Sequence, residues 1–188
     1  MPDQIPPDAP PPEPPPKRRL WPWLLLVAGL AAMLGAAVIG TRRVRESARR
    51  DHCKHCLRSV GLACHIYADD NDEEFPQNWQ QLYPNYVDNT RLLSCPSHPS
   101  SYQDFASGKV TERSSSYVLL PGRCAEMPGA FFLIYEKPEN HRWCGFHVVY
   151  TDAHVEWWPA KREAEFQKLL AEQRTAVEEW RKAHPPVK

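Results

Sequence analysis

The chain has 188 residues and equal numbers of acidic and basic side chains, 23 of each, so it is formally neutral. A neutral chain lacks the basic surplus that gathers nucleic acid, which argues against that class of partner. Six cysteines are many for a reducing compartment and ordinary for an oxidising one.

Residues 1–19 begin with a proline-dominated tail, including Pro10-Pro11-Pro12-Glu13-Pro14-Pro15-Pro16, that holds almost nothing apolar to bury. This composition predicts a disordered or polyproline-type spacer. Residues 20–40 follow without a single charge, and about 20 apolar residues is the length a helix needs to cross roughly 30 Å of hydrocarbon. Pro22 falls in the first turn, where a missing N–H costs little, and Trp21 and Trp23 suit the headgroup boundary. The segment is therefore expected to be a single transmembrane helix. Basic residues flank it on both sides, Lys17, Arg18 and Arg19 before and Arg42, Arg43, Arg45, Arg49 and Arg50 after. Counted alone, these would keep the C-terminal side in the cytoplasm. The cysteine content points the other way, to an extracytoplasmic domain with the N-terminus in the cytoplasm.

After Gly40 the apolar spacing becomes helical. Val44, Ala48, Cys53, Cys56, Leu57, Val60, Ala63, Cys64 and Tyr67 recur at steps of three and four, a stripe that one helix face buries, while Arg42, Arg49, Lys54, Arg58 and Ser59 take the other faces. The helix should stop near Asp69-Asp70-Asn71-Asp72 and before Pro76, because short polar side chains compete for the backbone. A short helix or turn is expected over residues 79–83, within a stretch punctuated by Pro84, Pro96 and Pro99. Short strands are expected over 115–120, 130–135, 145–150 and 154–158, the last two joined by a two-residue turn at Asp152-Ala153. Residues 160–184 read as an amphipathic helix burying Phe166, Leu169, Leu170, Val177 and Trp180. The fold class is thus α+β: a long N-terminal helix, part membrane span, packed on a small antiparallel sheet over residues 41–159, with a C-terminal helix.

Several residues repeat a known order. Ala48-Arg49-Arg50, Cys53, Leu57-Arg58, Gly61-Leu62-Ala63, Tyr67-Ala68-Asp69-Asp70-Asn71-Asp72 and Phe75-Pro76 are followed by Trp79, Leu82-Tyr83-Pro84, Tyr86-Val87, Cys95-Pro96-Ser97, Ser116-Tyr117-Val118 and Pro121-Gly122. The series closes with Glu139-Asn140-His141 and with Val148-Val149-Tyr150-Thr151-Asp152-Ala153-His154-Val155-Glu156-Trp157. Over residues 42–158 this resembles bacterial prepilin-type proteins with a C-terminal His-x9-Asp-Gly motif, which are similar to type II secretion pseudopilins. Two features depart from that pattern. No prepilin peptidase motif heads the apolar segment, so the Pro-rich tail is expected to be kept. The closing motif of His141, Asp152 and Ala153 has ten residues between His141 and Asp152, and alanine where glycine is usual.

The resemblance implies an inner-membrane location with the domain outside, and a structural role through contacts with like or related subunits, possible homo-oligomers among them. It also implies a disulfide between Cys53 and Cys95, the two cysteines at positions where the family pattern carries cysteine. Cys56, Cys64, Cys124 and Cys144 complete the disulfide candidates. Some pseudopilins bind calcium in a C-terminal loop, and the nearest equivalents here are Glu136, Glu139, Asn140 and Asp152.

Other constellations compete with this reading. His52-Cys53-Lys54-His55-Cys56 puts two thiols on one helix face, as a metal site with His52 or Cys64 would need, or as in a dithiol redox motif. The redox version lacks the helix N-terminus that lowers a thiol pKa, and a c-type haem would need histidine where Leu57 stands. A membrane-tethered thiol-redox or metal-binding module on the Cys53–Cys56 helix is therefore the alternative function. Otherwise the cysteines are small buried core residues or disulfide partners. The run from Asp69 to Glu74 lacks the glycine and terminal glutamate of an EF-hand loop. Neither His141 with Asp152 nor Ser114-Ser115-Ser116 is accompanied by a nucleophile elbow, so no enzyme activity and no small-molecule substrate are expected.

Overall fold

The computed structural model of the chain describes residues 21–97, 110–141 and 144–185; the Pro-rich tail lies outside them. The chain divides into two compact units, Met1–Arg42 and Arg43–Lys188.

The described part of the first unit is the beginning of helix α1, Trp21–Asp69. Every residue from Trp21 to Arg42 is exposed, Leu24, Leu26, Leu30 and Leu34 included. The segment is long and apolar enough to cross a membrane by length and composition.

In the second unit, α1 is followed by α2 (Trp79–Leu82), a 3₁₀ turn at Thr90–Leu93, strands β1 (Tyr117–Leu119) and β2 (Phe132–Glu136), a 3₁₀ turn at Pro138–His141, strands β3 (Gly145–Tyr150) and β4 (Val155–Pro159), and helix α3 (Glu163–Ala183). The four strands form an antiparallel meander in sequence order, β1-β2-β3-β4. The α+β class, the long N-terminal helix, the antiparallel sheet and the C-terminal helix are all as the sequence implied.

Both faces of the sheet are covered. Leu57, Val60, Ala63, Cys64 and Ala68 of α1 form one core with Phe75, Trp79, Tyr117, Leu119, Ile134 and Val149. Phe166 and Leu170 of α3 form a second with Phe132, Phe146, Val148, Tyr150 and Trp158. Phe166 stacks on Phe132 at 5.1 Å and meets Phe146 edge-on at 4.8 Å. Because successive residues of a strand face opposite ways, β3 is buried at every position. Gln173 of α3 extends the docking by accepting from the Phe132 N–H at 2.8 Å and donating to the Ala130 carbonyl at 3.0 Å.

Two local expectations are corrected. Val44 and Ala48 are exposed, and the buried stripe of α1 begins at Cys53; the domain reaches the preceding turns through polar groups, Glu46 and Arg50, instead. The β3–β4 connection is also not a two-residue type I′ turn. Ala153 N–H donates to Tyr150 O at 2.9 Å, Tyr150 N–H donates to His154 O at 3.0 Å, and Ala153 alone has positive φ, at 63°. That is a three-residue loop ending in a left-handed residue, the arrangement of a type I turn with a G1-type bulge.

Candidate functional site

A cluster of chemically active side chains is buried between α1 and the sheet. Cys53 arrives from α1, one residue of the stripe that Leu57, Val60 and Cys64 continue. Cys95 follows the Thr90–Leu93 turn, its backbone N–H donating to Ser116 Oγ at 2.8 Å, and Ser116 N–H donates back to Leu93 O at 2.9 Å. These two bonds seat the loop on the start of β1. Glu136 ends β2 and faces α1, opposite Tyr117 in the ladder. His141 closes the Pro138–His141 turn, and Asn140 beside it donates to Ser116 O at 2.8 Å.

The sulfurs of Cys53 and Cys95 lie 3.2 Å apart, and Cys95 Sγ lies 3.8 Å from His141 Nε2. His141 Nε2 is 3.0 Å from Glu136 Oε1, and its Nδ1 is 2.7 Å from Glu46 Oε1. The other Glu136 oxygen accepts from the His147 backbone N–H at 3.2 Å and meets His147 Nδ1 at 3.0 Å. Cys53, Cys95, Glu136 and His141 have no solvent exposure. Trp157 closes one side, its ring 5.7 Å from that of His141 and 4.8 Å from that of His147, with the Arg50 guanidinium 5.1 Å from its ring centre.

Electrostatics follow from this packing. Burial works to raise the Glu136 carboxyl, but the hydrogen bonds from His141 and His147 outweigh it and hold the group at about 2. Burial works to lower His141, and its bonds to Cys95 and Glu136 overcome that and push it up to about 10. Of the two thiols, hydrogen bonding between them raises Cys53 and lowers Cys95, with His141 adding to the latter. The Tyr117 hydroxyl is buried without a hydrogen-bond partner among the described residues, and Cys53 lies beside it.

The other sequence candidates go elsewhere. Cys56 turns to His52, its sulfur 3.4 Å from Nε2, so Cys53 and Cys56 have different partners. Cys64 is buried in the core, where desolvation alone raises its pKa. Cys124 pairs its backbone with Glu74 near α3 and packs on Met127 and Val177, whereas Cys144 is exposed. The calcium set is not brought together. Glu136 is committed to two histidines, Glu139 is exposed, Asn140 turns its amide nitrogen toward Ser116, and Asp152 sits in the β3–β4 loop bonded to His154. Antiparallel pairing of Phe132 with Tyr150 puts Asp152 at the opposite end of the ladder from Glu136. His141 and Asp152 are separated in the same way, so they are not an acid-base pair.

Glu46 and His147 are the members that sequence reasoning missed. Glu46 stands seven residues before Cys53 and fourteen before Val60, a spacing that returns to nearly the same helix face. His147 alternates with Phe146 and Val148 on a strand covered on both sides. Compared with known protein families, with curated proteins and with solved structures, the chain gives no match.

Proposed function

We propose that the protein is a single-pass, membrane-anchored structural subunit, with its N-terminus in the cytoplasm and a pseudopilin-like domain outside the inner membrane. Its role is scaffolding through contacts with like or related subunits, as in type II secretion or type IV pilus-like assemblies. The observation that carries this reading is the long apolar segment of α1, followed along the chain by an α+β domain in which a long helix is laid on an antiparallel sheet. Leu62 and Ile66, one helical turn apart on α1, are 51% and 56% exposed, and exposed apolar residues at that spacing suit a helix contact between subunits.

The test is carbonate extraction of membranes, followed by crosslinking from a photoreactive residue at Leu62 or Ile66. An anchored scaffold stays in the membrane pellet and gives adducts at multiples of the chain mass or with a related subunit. Recovery in the soluble fraction contradicts the anchor, and a chain that crosslinks to nothing contradicts the scaffold.

A second reading, a membrane-tethered metal-binding module, is favoured by the Cys53, Cys95, Glu136 and His141 cluster rather than by the Cys53–Cys56 pair.

A further inference from the structure

We propose that Cys53, Cys95, His141 and Glu136 form a closed four-ligand site for one divalent cation of the zinc class, which ties α1 to the sheet and to the loop before β1. One ligand atom from each, the two Sγ atoms, a histidine nitrogen and a carboxylate oxygen, lies within 4.8 Å of all the others.

The donor set selects the metal. Two thiolates are soft ligands that calcium and magnesium do not take, whereas zinc accepts sulfur, imidazole nitrogen and carboxylate oxygen in a tetrahedron. Zinc–sulfur bonds near 2.3 Å and zinc–nitrogen or zinc–oxygen bonds near 2.0 Å give tetrahedral edges of about 3.8 Å for S–S, about 3.6 Å for S–N and about 3.3 Å for N–O. The corresponding separations here are 3.2 Å between the sulfurs, 3.8 Å from Cys95 Sγ to His141 Nε2 and 3.0 Å from that nitrogen to Glu136 Oε1. The sulfurs would part by about 0.6 Å, and the other two pairs would move by about 0.2–0.3 Å, to reach those values.

The groups behind the ligands are those that a metal site needs. A metal-bound imidazole is oriented by a partner on its other nitrogen, most often a carboxylate, and Glu46 Oε1 is 2.7 Å from His141 Nδ1. That bond leaves Nε2 facing the sulfurs. Glu136 keeps its second oxygen on the N–H groups of His147, so one oxygen faces the cluster. A disulfide between Cys53 and Cys95 would involve two of these groups and give no role to the aim of His141 and Glu136. A cation uses all four, and its charge compensates a carboxylate with no access to water. With four protein ligands and no exposure the site has no open position, so its role is structural rather than catalytic. Binding releases the thiol protons and the Nε2 proton to solvent.

This inference does not depend on the membrane reading, because metal content and anchoring are measured separately. The test is elemental analysis of the full chain in detergent, isolated without chelator, followed by exchange with Co²⁺. We expect one zinc per chain, retained in Cys56→Ser and Cys144→Ser and reduced at least tenfold in Cys53→Ser and His141→Ala. The cobalt form should show thiolate-to-metal charge transfer and the intense visible bands of a tetrahedral centre. Glu46→Gln, which leaves all four ligands, should still bind cobalt, but ten to a hundredfold more weakly; it keeps the proposal testable should Cys53→Ser fail to fold. A chain isolated with Cys53 and Cys95 joined as a disulfide, a wild-type chain that takes up no cobalt, or unchanged metal in Cys53→Ser would each overturn it.

Discussion

His141 places its Nδ1 atom 2.7 Å from Oε1 of Glu46, a contact that spans 95 residues of sequence and joins a turn after β2 to the middle of helix α1. Glu46 is the first residue of α1 that is not fully exposed. A hydrogen bond to a charged group is worth about 1.5–3 kcal/mol, so Glu46→Ala should destabilise the full chain by about that amount. Glu46→Gln keeps an acceptor oxygen and should cost about half as much. Urea unfolding in detergent, followed by tryptophan fluorescence, checks both; equal stability of Glu46→Ala and wild type would show that the contact does not hold the helix.

At the β3–β4 loop, Ala153 takes φ of 63°, where its Cβ crowds the backbone. Replacing it by glycine removes that strain, and Ala153→Gly should stabilise the domain by about 1 kcal/mol. The same denaturant titration reads the shift in midpoint. No gain would mean that packing of the Ala153 methyl group near Gly61 is worth as much as the strain.

Gly145 opens β3 at φ of +151°, and a Cβ there would lie 2.9 Å from Pro159 Cα and closer still to Trp158 O and a Trp157 ring carbon. Neither backbone atom has room to move without breaking the β3–β4 ladder. Gly145→Ala should therefore destabilise by at least ~3 kcal/mol, read as loss of the cooperative transition or a much lower midpoint. A change under about 1 kcal/mol would place β4 differently from the register given above.

How much of this was legible in the sequence differs between the fold and the site. Short runs of β-type residues and the helical stripe marked all four strands, α1 and α3 within a few residues, because burial on both sheet faces leaves near-continuous apolar runs. The stripe failed at Val44 and Ala48, which share the spacing but have nothing packed on them. The turn was misread because the three-residue loop takes in Thr151 and leaves positive φ to Ala153 alone, a choice that no side chain announces. The proximity of Cys53 to Cys95 came from a resemblance and not from periodicity. Glu46 and His147 were hidden for opposite reasons: one is an acidic residue in a basic stretch, the other a histidine within an apolar strand.

Arg123 is 2% exposed, and its Nε and one terminal nitrogen have no hydrogen-bond partner among the described residues, while the other terminal nitrogen donates to Pro121 O at 2.9 Å. Burial lowers its pKa to about 10. An unpaired buried cation costs more than an apolar group of similar length, so Arg123→Met should leave stability unchanged or raise it by about 1–3 kcal/mol. A clear loss of stability would show that the guanidinium is compensated after all.

Anchoring with the domain outside is the central claim, and the chain carries its own reporter: Cys144 is exposed while the other five cysteines are buried. The most direct measurement is labelling by a membrane-impermeant maleimide in right-side-out and inverted vesicles, with Cys144→Ser as the control. An extracytoplasmic domain predicts one label per chain in right-side-out vesicles, lost in Cys144→Ser, and none in inverted vesicles until they are permeabilised. Labelling of Cys144 in inverted vesicles alone would put the domain in the cytoplasm and contradict the account.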